Sequence, residues 1–157
     1  MTVRELTSDD FELYREIRLR ALSADPDAFA STYEREAAYT DDEWRARVVG
    51  GDRRACFFID ELEDTDGLVN GVAGTAGIFF SDWDPQPMVV AMWVDPAARG
   101  LGSGRRLLDA TIEIAAASGA ERMWLGVNHA NVRAQRFYEK HGFHAVGTKR
   151  FLVGARL

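Results

Sequence analysis

The sequence predicts a mixed α/β fold: a twisted sheet with helices packed on both faces. Three observations carry this reading. From residue 87 onward, strand-like apolar runs alternate with helical patterns, "PMVVAMWV", the stretch after "RGLGSG", "RMWLGV", then "NVRAQRFYEKH". Between residues 55 and 80, two strand-like runs flank an acidic tip, the pattern of a hairpin. The 157 residues, 46% of them hydrophobic, suffice for one substantial core. No repeat, low-complexity linker or composition break divides them, so residues 1–157 are expected to form a single domain.

In chain order, "TVREL" alternates like a short strand. Ser8, followed by Asp9 and Asp10, predicts a helix start with acids at the positive end of the dipole. Phe11, Tyr14, Ile17, Leu19 and Leu22 then give a buried stripe that lasts until the turn signal "DPDA". Thr40 ahead of "DDE" predicts a second capped helix through Trp44 and Val48 to Gly50 and Gly51. "ACFFID" and "LVNGVAGTAGIFF" are the hairpin strands, and glycines in the second suggest kinks or close backbone approach. The tip between them, "DELEDTDG" from Asp60 to Gly67, holds five acids in eight residues and reads as solvated. "PMVVAMWV" and "RMWLGV" are buried strands. Between them a helix from Gly104 to Ser118 presents Leu108, Ile112 and Ala115 inward and ends at Gly119. Asn131 caps a last helix that Gly142 stops, and "FHAVGTKRFLVG" supplies a terminal pair of strands.

Composition narrows the function. Nineteen basic residues against twenty-five acidic ones give a net charge of −6, which disfavours nucleic acid as the main partner. No apolar stretch is long enough to span a bilayer, and "MTVRELTSDDFELY" has acids where a signal peptide needs an apolar core. A cytoplasmic protein with no membrane partner is expected. Cys56 is the single cysteine, so no internal disulfide forms, and it reads as a small core residue. His141 and His144 have no third ligand beside them, so no metal is expected.

The chemistry concentrates in "RGLGSGRR", Arg99 to Arg106, between a strand and a helix. A phosphate loop of the G-x-x-x-x-G-K-[ST] kind fails on spacing and on the missing lysine. A G-x-G-x-x-G dinucleotide fingerprint fits poorly, because the glycines fall at 100, 102 and 104 and "DPAA" separates them from the strand. Bare N–H groups at a helix start, with charge from Arg99 and Arg105, suit a pyrophosphate. A purely structural strand-to-helix turn is the alternative that the loop alone leaves open.

The surrounding order decides more. Strand "MVVAMWV", then "RGLGSG", helix, strand "MWLGV" and "NHANVRAQRFYEKHGF" resembles the GCN5-related N-acetyltransferase (GNAT) superfamily. Its acyl-CoA signature [QR]-x-x-G-x-[GA] is met by Arg99, Gly102 and Gly104. A second signature is met by Asn131, Phe137, Tyr138, Gly142 and Phe143. The resemblance is strong over about Pro87 to Phe143. It covers the N-terminal half by element order, with a softer likeness in "RLRALSADPDAFASTYERE". It implies a mostly antiparallel sheet of six to seven strands with splayed central strands.

It further implies acetyl-CoA as co-substrate. Gly100, Leu101, Gly102, Ser103 and Gly104, with Arg99 and Arg105, would hold the pyrophosphate. The backbone of Met92, Trp93 and Val94 would hold the pantetheine arm, with Asn131 beside it. Asn131 and Tyr138 lie seven residues apart, nearly two helical turns, so they share a face about 10 Å apart along the axis. Asn131 reads equally as a plain N-cap, and the two roles coexist. Tyr138 is the expected general acid for the departing thiolate, because a phenol with an ordinary pKa near 10 keeps its proton at neutral pH. The expected reaction is direct acetyl transfer to a primary amine of a small molecule, without a covalent intermediate. A protein amine as acceptor and a non-catalytic acyl-CoA-binding module are the alternatives. Tyr33 and Glu34 are candidates for the acceptor site, with Glu34 and Glu36 as candidate bases beside a water chain. Trp83 and the aspartates of "SDWDPQP" could meet a cationic amine. The resemblance also allows a homodimer through the C-terminal strands.

Overall fold

The computed structural model describes residues 2–49, 54–63, 66–82, 84–128, 130–146 and 150–154. The strands are β1 (Thr2–Glu5), β2 (Arg54–Glu61), β3 (Val72–Phe80), β4 (Met88–Val94), β5 (Arg122–Gly126), β6 (His144–Val146) and β7 (Arg150–Gly154). They form one seven-stranded sheet in the order β1-β2-β3-β4-β5-β7-β6. Only β4 and β5 run parallel; the other neighbours are antiparallel. A parallel pair needs a crossover, and the helix α4 (Ser103–Ala117) supplies it.

Strand alternation divides the core. Phe57 and Ile59 of β2 join one cluster, and Phe58 between them joins another. On the first face pack α1 (Phe11–Ala24) and α3 (Asp41–Val48), through Phe11, Tyr14, Ile17 and Trp44. On the second lie α4 and α5 (Val132–Lys140), where Leu107, Leu108, Ala115 and Tyr138 meet Ala76, Ile78, Met123 and Leu125. The helices therefore cover both faces, as the sequence predicts.

Local chemistry sets the helix ends. The Thr40 hydroxyl accepts from the Glu43 N–H, and the Glu43 carboxylate accepts from the Thr40 N–H, both at 3.2 Å. This reciprocal cap of α3 stabilises by about 1 kcal/mol. The expected terminators Gly50 and Gly51 lie outside the described residues. The first helix differs at its start: Thr7 rather than Ser8 is the cap, with Asp10 accepting from its N–H at 2.8 Å, and a 3-10 turn over Ser8–Asp10 precedes α1.

Three further expectations are corrected. Residues 68–71 are not strand, because Asn70 (φ 50°) and Gly71 (φ 72°) turn left-handed and β3 begins at Val72. Asp60 and Glu61 belong to β2 rather than to a solvated tip, and Asp60 is fully buried. The inward stripe of α4 is rotated: Leu107 and Thr111 are buried with Leu108 and Ala115, while Ile112 is half-buried. The sequence also gives no sign of α2 (Tyr33–Ala37), one turn capped by Thr32, whose hydroxyl accepts from Arg35 N–H at 3.2 Å. That turn buries Glu36, which takes two hydrogen bonds from Arg18, at 2.9 and 3.0 Å, and an ion pair from Arg47 at 3.2 Å.

Candidate active site

The site begins where β4 and β5 part. Their register holds only Met88 with Trp124 and Val89 with Leu125, yet β4 continues five residues to Val94. Beyond those two rungs the strands separate into a wedge. On its other side β4 stays paired with β3, with a shift between Thr75 and Gly77 that gives β4 one extra residue. Ala91, at φ 54°, lies in this bulge, a rare left-handed conformation for a residue with a Cβ. Ala91 lies two residues past the last rung, Val89, close to the point where the wedge opens.

Alternation beyond the bulge fixes which groups face the wedge. The Asp95 N–H donates to Ala73 of β3, so Val94 and Met92 turn their peptide groups to the opposite side. The Val94 carbonyl accepts from Arg99 Nε at 3.1 Å on that side. Trp93, by contrast, turns its backbone toward β3, and its indole N–H donates to Asp25 at 2.8 Å. Asp25 also accepts from Arg99 Nη2 at 2.7 Å. Burial pushes the Asp25 carboxyl up, but its bonds to Trp93 and Arg99 outweigh this and hold it below the usual carboxylate range.

From β4 the chain passes through Asp95, whose carboxylate caps the 3-10 turn Pro96–Ala98 by accepting from the Ala97 N–H at 2.9 Å. It then enters the glycine loop. Gly100 and Gly102 both have φ 86°, and Gly102 is the N-cap of α4. These two positions need glycine for their backbone. Gly104 needs it for packing, since a Cβ there would lie 3.1 Å from the Phe137 ring of α5 and 3.6 Å from Val94. The fifteen-residue α4 thus begins against α5 and β4, with the donors of its first turn at the mouth of the wedge.

One cavity of about 470 Å³ joins these parts. It is lined by Met92, Trp93, Val94, Arg99, Gly100, Gly102, Ser103, Gly104, Arg105, Asn131 and Tyr138, all named from the sequence. Leu101, the remaining loop residue so named, is half exposed and outside the lining. Tyr33 and Glu34 also lie outside it, exposed on α2. Glu36 is buried between Arg18 and Arg47; burial raises its carboxyl, but those cations outweigh it and hold it below the usual range. Trp83 lies outside the described residues.

Asn131 does cap α5, its side-chain oxygen accepting from the Ala134 N–H at 3.1 Å, and it lines the cavity as well. Tyr138 is packed between Phe137 and Phe143, with ring centroids 5.2 and 5.6 Å away. Burial pushes its phenol well above the ordinary value, so it stays protonated across the neutral and mildly alkaline range. Cys56 is half-buried away from this cavity, its thiol pushed up to about 11 by burial. Among the described residues no three His, Cys, Asp or Glu side chains group as metal ligands, and no helix is long and apolar enough to cross a membrane.

Among the lining residues that the sequence reading did not assign to the site are Asp25, Ala28, Arg133, Phe137, Lys140 and His141. Arg133, Phe137 and Lys140 recur at helical spacing on α5, so placing Asn131 and Tyr138 on the cavity would have found them. Asp25 has no local signal, because its partners are 68 and 74 residues away.

The model of the acetyltransferase (GNAT) family matches residues 11–143. The chain belongs to that family. An uncharacterized N-acetyltransferase of Mycobacterium tuberculosis is 45% identical over 64 residues, 41% of each chain. Streptothricin acetyltransferase of Streptomyces lavendulae is 32% identical over 94 residues, 55% of this chain and 50% of that one. The matched segments thus span half or less of these relatives' length. PaiA N-acetyltransferase of Thermoplasma acidophilum, solved in complex with coenzyme A, superposes with a TM-score of 0.73 at 14% identity, over 98% of both chains. That likeness concerns the fold of this GNAT chain.

Proposed function

We propose that this GNAT chain moves the acetyl group of acetyl-CoA directly to the primary amine of a small molecule. The observation that carries the proposal is the single cavity that joins the glycine loop, the wedge-side edge of β4, Asn131 and Tyr138. A pyrophosphate suits the left-handed glycines and the first-turn donors of α4. The pantetheine amides suit the peptide groups of Met92 and Val94 and the Asn131 amide. A small-molecule acceptor accords with the name of one relative, streptothricin acetyltransferase.

The amine nitrogen attacks the thioester carbonyl carbon, the carbon–sulfur bond breaks, and the thiolate takes the Tyr138 proton. Backbone N–H groups around the Ala91 bulge meet the oxyanion as it forms. Direct transfer is favoured because, among the described residues, no Ser–His or Cys–His nucleophile pair lines the cavity. Ser103 Oγ is held by Arg106 at 3.1 Å, and His141 Nδ1 is bonded to the Phe137 carbonyl at 2.7 Å. Neither Glu34 nor Glu36 borders the cavity, so water carries the ammonium proton away and restores the phenol.

The test is calorimetric titration with acetyl-CoA and CoA, followed by thiol release against a panel of amines. Micromolar binding with amine-dependent release is the expected result. Binding without release from any small amine would move the acceptor to a protein or leave a sensor. No binding would overturn the reading of the loop.

A further inference from the structure

The glycine loop is followed by two arginines that differ in what they do. Arg105 is exposed, 3.9 Å from Asp109 one turn on, and lines the cavity. Arg106 does not line it. Its guanidinium donates to three acceptors from two parts of the fold. Nε and Nη2 reach Asp60 Oδ2 of β2 at 3.1 and 2.9 Å, Nη2 reaches Ser103 Oγ at 3.1 Å, and Nη1 reaches the Leu101 carbonyl at 3.1 Å.

We infer that Arg106 is a positioning residue for the donor's pyrophosphate: clamped on Asp60, it sets the direction in which the Leu101–Gly102 peptide points. The inference rests on the acyl-CoA reading above. In a trans peptide the carbonyl and the next N–H point in opposite directions. Holding the Leu101 carbonyl on Arg106 therefore turns the Gly102 N–H away from the guanidinium. Gly102 lines the cavity and Arg106 does not, so that N–H is presented on the ligand side. The clamp is also close: a Cβ on Gly102 would stand 2.8 Å from Arg106 Nη1. Bare glycine at 102 serves the arginine as much as the backbone conformation.

Asp60 is the fixed end of the clamp. It is fully buried, and its second oxygen, Oδ1, has no hydrogen-bond partner among the described residues. A half-satisfied carboxylate inside a core is a poor choice for stability alone, where an apolar side chain would serve as well. It is explained by the arginine it holds, since it anchors that arginine to the sheet through β2 rather than to the loop itself.

The test is titration of the wild type, Arg106→Gln and Arg106→Lys with acetyl-CoA and with S-acetylpantetheine, which lacks the pyrophosphate, alongside thermal unfolding of each. Arg106→Lys keeps a cation beside Asp60, so it folds even where Arg106→Gln does not, but an ammonium cannot span three acceptors. The expected result is an affinity for acetyl-CoA at least tenfold weaker in the variants, with affinity for S-acetylpantetheine unchanged within twofold. Equal losses for both donors would make Arg106 a merely structural residue and overturn the inference, and so would no loss for either. Failure of the wild type to bind acetyl-CoA would overturn the acyl-CoA reading itself and this inference with it.

Discussion

Tyr138→Phe removes one oxygen from the proposed acid and little else. Tyr138 is 7% exposed, and its contacts with Phe137 and Phe143 are ring contacts that phenylalanine keeps. The loss of stability should stay below about 1 kcal/mol, which for a chain of this size is less than about 4 °C in Tm. The chemical effect is far larger. A positioned general acid contributes about 10²- to 10⁴-fold, or about 3 to 5 kcal/mol of barrier. The assay is thiol release with the best amine of the panel, beside titration with acetyl-CoA. Turnover should fall at least 100-fold while the dissociation constant changes less than threefold. Because burial raises the phenol's pKa, the acid form persists as pH rises, and Tyr138 should impose no alkaline decline on wild-type turnover between pH 7 and 10. Turnover within threefold of wild type would remove Tyr138 from the chemistry.

Gly102→Asp directs a carboxylate toward Arg106 and adds a negative charge beside the proposed pyrophosphate. At about 6 Å and an effective dielectric near 20, one like-charge pair costs about 3 kcal/mol. Acetyl-CoA should bind about 100-fold more weakly in titration, and wild-type affinity would place the phosphates elsewhere. Glu36→Gln leaves Arg18 and Arg47 facing each other without their carboxylate, and breaking such a buried pair costs about 3 kcal/mol or more. Thermal unfolding should shift down by about 6 to 12 °C, and a shift under 3 °C would show that the ion pairs contribute little. The same carboxyl, with Asp10 held low by Arg4 and Asp25 held low by Trp93 and Arg99, contributes to the acid response. A depressed carboxyl stabilises fully above its unfolded pKa near 4 and loses that contribution as pH falls through the folded value. Tm should be flat from pH 7 to 5 and fall below about 4, and the fall should be shallower in Glu36→Gln.

What the sequence made legible is local. The Thr40–Glu43 box, the Asn131 cap and the left-handed glycines are written in neighbouring residues, and each is found where spacing puts it. β4 and β5 were legible as strands from their continuous apolar runs, but they are not buried throughout: only Val89 and Trp93 of β4 and Met123 and Leu125 of β5 are buried. Asp60 was misread and Asp25 was missed for the same physical reason. An acid in an acidic run or a turn looks solvated until a distant arginine arrives, and Arg106 and Arg99 come from 46 and 74 residues away. The short α2 was invisible because five residues hold too little periodicity to show. The bulge at Ala91 was hidden because nothing in "VAMWV" marks an alanine for left-handed backbone.

The two rungs that join β4 to β5 also bear on how the chain folds. β1, β2, β3 and β4 form successive antiparallel pairs, and β5, β7 and β6 form a second antiparallel group. Each group can zip on its own ladder. The join between them waits for the α4 crossover, a long loop closure rewarded by only two register pairs. The cavity lies along this last and thinnest seam. A donor spanning it would tie the halves together, so amide exchange at Val89 and Leu125 should slow more on ligand binding than exchange within either half-sheet.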